Sequence, residues 1–260
     1  MCEVLSIVNQ KGEPAGKSAV TANLGIGLAR KGKKVALIDA DAQGSLTTSL
    51  CFGEPDQLAV SLSSIMTDLI NEKEIDPLEG ILHHQEGVDL IPANIELSGL
   101  EVTLSNVMSR EMVLRDYLEM LRPNYDYILI DCMPSLGMIT INSLAAADSV
   151  IIPVQTAYLP VKGLEQLLRT IGMVRRRLNR RLGIKGILIT MADFRTNCAR
   201  DIKAKMQETY GKSVGMFSTS IPASVKIVEA SAEGISIYAH DPSGKAALAF
   251  EHFTEEVLAG

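Results

Sequence analysis

The chain reads as an α/β fold: one doubly wound, mostly parallel sheet with helices on both faces. Three observations predict it. Apolar runs of five to eight residues alternate with helical patterns along all 260 residues, as a sheet covered on both faces requires. No linker, repeat or low-complexity stretch interrupts that alternation, so residues 1–260 read as a single domain. Three of the apolar runs end in the residues that bind phosphate and metal ions, at the carboxyl edge where open α/β sheets place their ligands.

Strands are expected at about 3–9, 34–39, 88–92, 126–131, 149–154, 184–191 and 214–221, judged by β-branched runs bounded by turn residues. Helices are expected at about 17–31, 44–51, 61–71, 95–121, 137–147, 161–181, 196–210, 224–232 and 244–258. In the first of them Leu24, Leu28 and intervening alanines form the inward stripe, and Arg30-Lys31-Gly32 reads as its stop.

Composition removes several classes of function. Apolar residues make up 47% and charged residues 22%, the balance of a globular protein. No apolar run reaches the roughly 18 residues of a membrane span, and no basic leader opens the chain, so a cytoplasmic protein with no membrane partner is expected. Cys2, Cys51, Cys132 and Cys198 are scattered without a Cys-x-x-Cys pair, which reads as reduced thiols. The net charge is −6, so any nucleic-acid binding must come from a local patch. His83-His84 read as a solvated pair in a polar loop.

The chemistry gathers at three strand ends. Asn9-Gln10-Lys11-Gly12-Glu13-Pro14-Ala15-Gly16-Lys17-Ser18 follows the first apolar run and opens a helix. Such a loop surrounds phosphate with backbone N–H groups and a helix N-terminus, with Lys17 for the β/γ oxygens and Ser18 for Mg²⁺. Asp39 and Asp41 close the second strand, two apart and on the same side of an extended chain, an arrangement suited to a metal ion and an attacking water. Asp131 ends the apolar run Tyr127-Ile128-Leu129-Ile130. One such residue would be an ordinary cap or turn residue; three strand ends on one sheet edge point to a nucleotide.

Together with Ile130-Asp131-Cys132-Met133-Pro134, Ile152-Pro153-Val154-Gln155, Gly186-Ile187-Leu188-Ile189-Thr190-Met191 and Ile221-Pro222, these segments resemble the ParA/Soj branch of the deviant Walker A ATPases, which partitions plasmids and chromosomes. The resemblance covers nearly the whole chain. It implies an ATP-dependent homodimer in which Lys11 crosses to the partner's nucleotide, with ATP and Mg²⁺ as cofactors and slow hydrolysis stimulated by a ParB-type, centromere-binding partner. Gly12, Gly16, Lys17, Ser18, Ala19, Met191 and Pro222 would touch the nucleotide. Ser18 and Asp131 would hold the metal, Asp39 an outer-shell position, and Asp41 the attacking water, so that Lys11, Lys17 and Asp41 are the catalytic set.

Two departures stand out. The family writes its loop Lys-Gly-Gly-x-Gly-Lys-Thr-Thr, whereas Glu13-Pro14-Ala15 make this loop one residue longer, and Ala19 replaces the second hydroxyl residue. The resemblance therefore leaves a second class open, a ParA-fold scaffold or regulator that has lost turnover. Arg175, Arg176, Arg177, Arg180 and Arg181 form a basic run on the helix read as 161–181, with Arg195, Arg200, Lys203 and Lys226 as its extension. The resemblance implies nonspecific binding of double-stranded DNA there, with association to the nucleoid in the ATP state and two patches of the dimer on one duplex. Ala223 stands where the resemblance leads one to expect an arginine.

Overall fold

The computed structural model describes residues 2–9, 16–155, 160–193 and 196–260, and within these the side chains of all but residues 160–162 and 198. Eight strands form one sheet: β1 (Glu3–Ile7), β2 (Val35–Ala40), β3 (Leu82–His83), β4 (Val88–Ile91), β5 (Tyr127–Cys132), β6 (Ser149–Gln155), β7 (Gly183–Ala192) and β8 (Met216–Pro222). Their order is β3-β4-β2-β5-β1-β6-β7-β8, and every pairing is parallel except β3 with β4. All of β2 is buried, and β5 is buried but for Tyr127, because both of their faces are covered.

Successive side chains go to opposite layers. Val4, Ile38, Ile130, Ile152 and Ile189 face a layer built from α3 (Leu62–Ile70), α4 (Glu96–Leu104), α5 (Val113–Leu121), α6 (Met138–Ala146), α7 (Pro160–Arg177) and α8 (Asn197–Tyr210). Leu5, Leu37, Leu129, Ile151 and Leu188 face α1 (Lys17–Arg30), α2 (Ser45–Ser49), α9 (Val225–Glu233), α10 (Ile237–His240) and α11 (Lys245–Ala259). Asp39 and Asp131 share parity with Leu37 and Leu129, so both carboxylates belong to the α1 side.

The expected helix over 95–121 is two helices. The break spans 105–112, where Ser109 has a left-handed φ of 53°. Asn142 of α6 fixes the restart: its amide donates to the Arg110 carbonyl at 2.7 Å and accepts from the Leu114 N–H at 3.2 Å. A polar side chain from another helix thus supplies the cap, which periodicity in the segment itself does not reveal. The helix expected over 161–181 stops at Arg177. Leu178 and Asn179 both close on the Val174 carbonyl, and the Asn179 amide donates to the carbonyls of Leu144 and Ala147 at 3.3 and 2.7 Å. Arg180 and Arg181 consequently lie in the turn before β7 and share no helical face with Arg176 and Arg177.

The histidine pair is also corrected. His83 belongs to the short antiparallel strand and its Nδ1 meets Asp89 at 2.5 Å, while His84 is buried with Nε2 3.0 Å from the Gly234 carbonyl. The short α10 was not legible beforehand.

Candidate nucleotide site

Parallel strands put the start of α1, the β2–α2 turn and the end of β5 side by side. Gly16 enters α1 with φ 67°, and beyond its chain neighbours no atom of the described residues lies within 4 Å of where a Cβ would stand. The turn there needs a residue free to adopt positive φ, and the space beside it is open. Gly16 at the N-cap makes no side-chain cap bond, so among the described residues the N–H groups of the first turn, which have no partner inside the helix, remain available to an anion. Lys17 and Ser18 are its first two residues.

Asp39 and Asp131 are register partners on β2 and β5, and both are fully buried. Burial pushes the Asp131 carboxyl well above the usual carboxylate range, and Asp39 beside it pushes further; a hydrogen bond from Ser18 and the charge of Lys17 pull the other way. Thr21 reaches Asp131 at 3.4 Å while giving its proton to the Lys17 carbonyl at 2.9 Å. Asp39 is likewise raised by burial and restrained by Thr47. Its Oδ2 accepts from the Thr47 N–H and hydroxyl at 2.9 and 2.7 Å, and its Oδ1 from the Asp41 N–H at 3.2 Å. The Thr47 hydroxyl in turn accepts from the Ala93 N–H at 3.2 Å.

These contacts separate the two acids. Asp39 is occupied by α2 and its own turn, whereas among the described residues Asp131 meets the Ser18 hydroxyl and, more weakly placed, that of Thr21. Two adjacent buried carboxylates are unfavourable without a cation, so the donor set of Ser18 and Asp131 fits one. Among the described residues no three His, Cys, Asp or Glu side chains cluster to hold a metal. A hydroxyl and one carboxylate suit Mg²⁺, which keeps several of its waters and takes few protein ligands. Asp41 stands further out, half-buried, its Oδ1 accepting from the Gln43 N–H at 3.0 Å.

Beside the start of α1 lies a mainly apolar cavity of about 230 Å³, lined by Gly16, Ala19, Val20, Thr190, Met191, Ile221, Pro222, Ser224, Ile227, Val228, Ser231 and Phe250. Gly16, Ala19, Met191 and Pro222, expected at the nucleotide, are thus brought together. Met191 holds a φ of 49°, unusual for a side chain of its size, and its sulfur accepts from Gln155 Nε2 at 3.0 Å. Lys11 and Gly12, with Glu13-Pro14-Ala15, lie outside the described residues, as does Arg195. The sequence reading missed Thr47, Thr21 and the α9 wall. The apolar Ile227-Val228 pair within α9 was a usable signal; Thr47 was not, since nothing local distinguishes it from Thr48.

The basic residues do not form one surface. Helix α7 descends from the carboxyl edge of β6, so Arg175, Arg176 and Arg177 at its end, with Arg180 and Arg181, stand at the amino edge of the sheet. Arg200, Lys203 and Lys226 follow the carboxyl ends of β7 and β8, at the nucleotide edge. There Arg200 donates to Asn197 at 2.7 Å, Lys203 to Ser220 at 2.9 Å, and Lys226 pairs with Glu229 at 2.8 Å. The length of β7 separates these residues from the arginine run, so the two groups do not share one continuous face.

A family model described as an AAA domain matches residues 2–184. The chain is 39% identical to the sporulation initiation inhibitor protein Soj of Bacillus subtilis, over 100% of this chain and 99% of that one. It is 37% identical to the chromosome partitioning protein ParA of Caulobacter vibrioides, over 98% and 93%. Among solved structures, a Mycobacterium smegmatis protein described as cobyrinic acid a,c-diamide synthase, with bound ADP and magnesium, superposes with a TM-score of 0.85 at 34% identity, over 99% of this chain and 94% of that one. The motifs at three strand ends, the sheet that gathers them and the full-length similarity agree: the chain belongs to the ParA/Soj family of P-loop ATPases.

Proposed function

We propose that this chain is a partitioning ATPase that binds Mg-ATP at the carboxyl edge of its sheet, dimerises through that edge and holds DNA nonspecifically at its arginines. The observation that carries the reading is the junction of α1 with the buried Asp131: the uncapped helix start, Lys17 and the Ser18–Asp131 hydrogen bond meet beside an apolar cavity. The solved relative's ADP and magnesium support the cofactors.

Each residue has a distinct task. Lys17 and the first-turn N–H groups neutralise and orient phosphate oxygens; Ser18 and Asp131 hold the metal; the apolar cavity takes the base. Bound Mg²⁺ supplies charge neutralisation at the phosphates. Asp39 keeps the β2–α2 turn in place through Thr47, and Asp41, carried on that turn, orients the attacking water. Phosphoryl transfer asks for positioning and charge compensation more than for covalent chemistry, and Lys11 from a second chain would add a cation only once the dimer forms. That requirement makes hydrolysis slow alone and open to stimulation by a ParB-type partner.

Ala19 brings no hydroxyl to the cavity, so phosphate contacts rest more heavily on Lys17 and Ser18 than the family's loop requires. In the dimer the nucleotide edges face each other and the arginine edges point apart, so each chain engages its own stretch of DNA. Calorimetry of Mg-ATP with the full chain tests the reading. Binding lost in Lys17→Ala supports it, and equal affinity in the variant sinks it.

A further inference from the structure

Strand register fixes the two acids of the nucleotide edge, but not the turns that follow them. Asp39 leads into the β2–α2 turn that carries Asp41, and Asp131 leads into residues 132–137 before α6. One segment touches the supports of both. Its near end is Ala93, buried just past β4, whose N–H donates at 3.2 Å to the Thr47 hydroxyl, which in turn donates to Asp39 at 2.7 Å. Its far end is Glu101 of α4, whose Oε1 accepts from the Met138 N–H at 2.6 Å.

Both ends are anchored. Asn94, beside Ala93, is buried and accepts from the Ser63 hydroxyl of α3 at 2.8 Å. Leu97, Leu100 and Leu104 seat α4 on the core at i, i+3 and i+7, and Glu101 stands four residues after Leu97 on the same side. Gly137, the N-cap of α6, has no side chain to accept from that helix, so Glu101 supplies the acceptor from another helix, with its negative charge at the positive end of the α6 dipole. A Cβ at Gly137 would fall on the Glu101 carboxylate. The φ of −76° at Gly137 is open to any residue, so what the glycine provides here is room for the close approach. Thr140 donates to the Ser135 carbonyl at 2.7 Å, which draws the loop after Asp131 onto the helix start that Glu101 holds.

We infer that residues 93–101 are a brace across the two acid-bearing turns, and that Glu101 is a positioning residue for hydrolysis that sets where the Asp131 loop stands relative to Asp41. The inference rests on the ATPase reading of the site. From Glu96 to Glu101 the helix rises only roughly 7.5 Å, and so short and well packed a rod transmits a displacement instead of absorbing it. Misplacing a group at the reacting centre by about 1 Å costs up to about 100-fold in rate. Glu101 belongs neither to the phosphate loop nor to the metal pair, so its loss should act on turnover and not on binding.

The test joins kinetics to thermal melting of the full chain. Glu101→Ala should lower kcat for ATP hydrolysis about 10-fold while Mg-ATP affinity in calorimetry stays within about twofold, and Glu101→Gln, which keeps an oxygen acceptor, should retain most of the parental kcat. Gly137→Ala leaves the carboxylate intact but pushes it aside, so it should reproduce the kcat loss of Glu101→Ala. Melting without nucleotide reads the brace itself. Thr47→Val and Glu101→Ala, at its opposite ends, should together lower Tm by less than the sum of their separate losses, because distant sites add unless something couples them. A helix cap alone gives additive Tm losses and an unchanged kcat, and either result overturns the brace. A loss of Mg-ATP affinity in Glu101→Ala would overturn it as well, by placing Glu101 in binding. A parent that neither binds nor hydrolyses ATP would sink the ATPase reading, and the additivity of Tm would then decide by itself whether the segment is a brace.

Discussion

The two ends of the sheet solve the problem of charge in opposite ways. At the carboxyl edge, charge is buried: Asp39 and Asp131 are sealed in the sheet and held by Thr47, Ser18 and Thr21. At the amino edge, charge is exposed, and Arg115, Arg180 and Arg181 have no carboxylate partner among the described residues. Buried charge is sensitive to one missing hydrogen bond, because the dielectric around it is low. Exposed charge is adjustable, since solvent and salt moderate each group and none is essential to folding. The nucleotide edge is therefore where single substitutions should be severe, and the arginine edge where several must be combined.

The largest effect expected is from Lys17→Ala. Mg-ATP affinity should fall at least about 100-fold in calorimetry, the scale of a lost charge-assisted contact in a partly dry site. Affinity kept at the parental value would mean that a single substitution at this edge is not severe.

Asp41→Ala comes next. The side chain is half-buried and, among the described residues, hydrogen-bonded to its own turn, so ATP should still bind while turnover drops by about 100-fold or more, as for an interaction made chiefly in the transition state. Parental turnover would remove Asp41 from the reaction.

How much of this contrast was readable in the sequence depended on whether the cause was local. The three strand ends were legible because glycine, lysine and aspartate at the end of an apolar run carry their own signal, and parallel topology then brings them together. The end of α7 was not, because it is set by Asn179 reaching back to α6. For the same reason the arginine run looked continuous in sequence yet divides between a helix and a turn. The break between α4 and α5 is a third case of that kind, decided by Asn142. Arg115 was invisible as a partner of Arg180, since only packing of α5 beside the α6–β6 corner puts them on one cleft.

A smaller effect is expected at Thr47. Thr47→Val keeps the volume and the N–H to Asp39 but removes the hydroxyl that serves both Asp39 and the Ala93 N–H. Leaving buried polar atoms short of a partner costs about 1–3 kcal/mol, which for a chain of this size should lower Tm by several degrees. The single change Arg181→Gln at the opposite edge should leave Tm unmoved. Equal Tm losses for the two would erase the distinction between buried and exposed charge.

The smallest effect is one of pH, and it belongs to the wall of the nucleotide cavity. His240 of α10 places Nδ1 3.0 Å from Glu233 and Nε2 3.2 Å from Glu229, both on α9, whose Ile227 and Val228 line the cavity. A neutral imidazole has one N–H, so bonding both carboxylates requires the doubly protonated ring. Hydrogen bonds to Glu233 and then Glu229 accordingly raise the His240 pKa above its ordinary value of 6.5. A raised folded-state value means that the stabilisation is complete below the ordinary histidine pKa and is lost as pH rises through the raised one. Lys226 stays beside Glu229 throughout at 2.8 Å, so part of the network survives deprotonation. His240→Gln should thus melt roughly 1 °C below the parent at about pH 5.5, with the gap closing by about pH 8.5. A gap that is constant across that range would show that His240 acts through packing alone, and one that widens with pH would reverse the assigned protonation state.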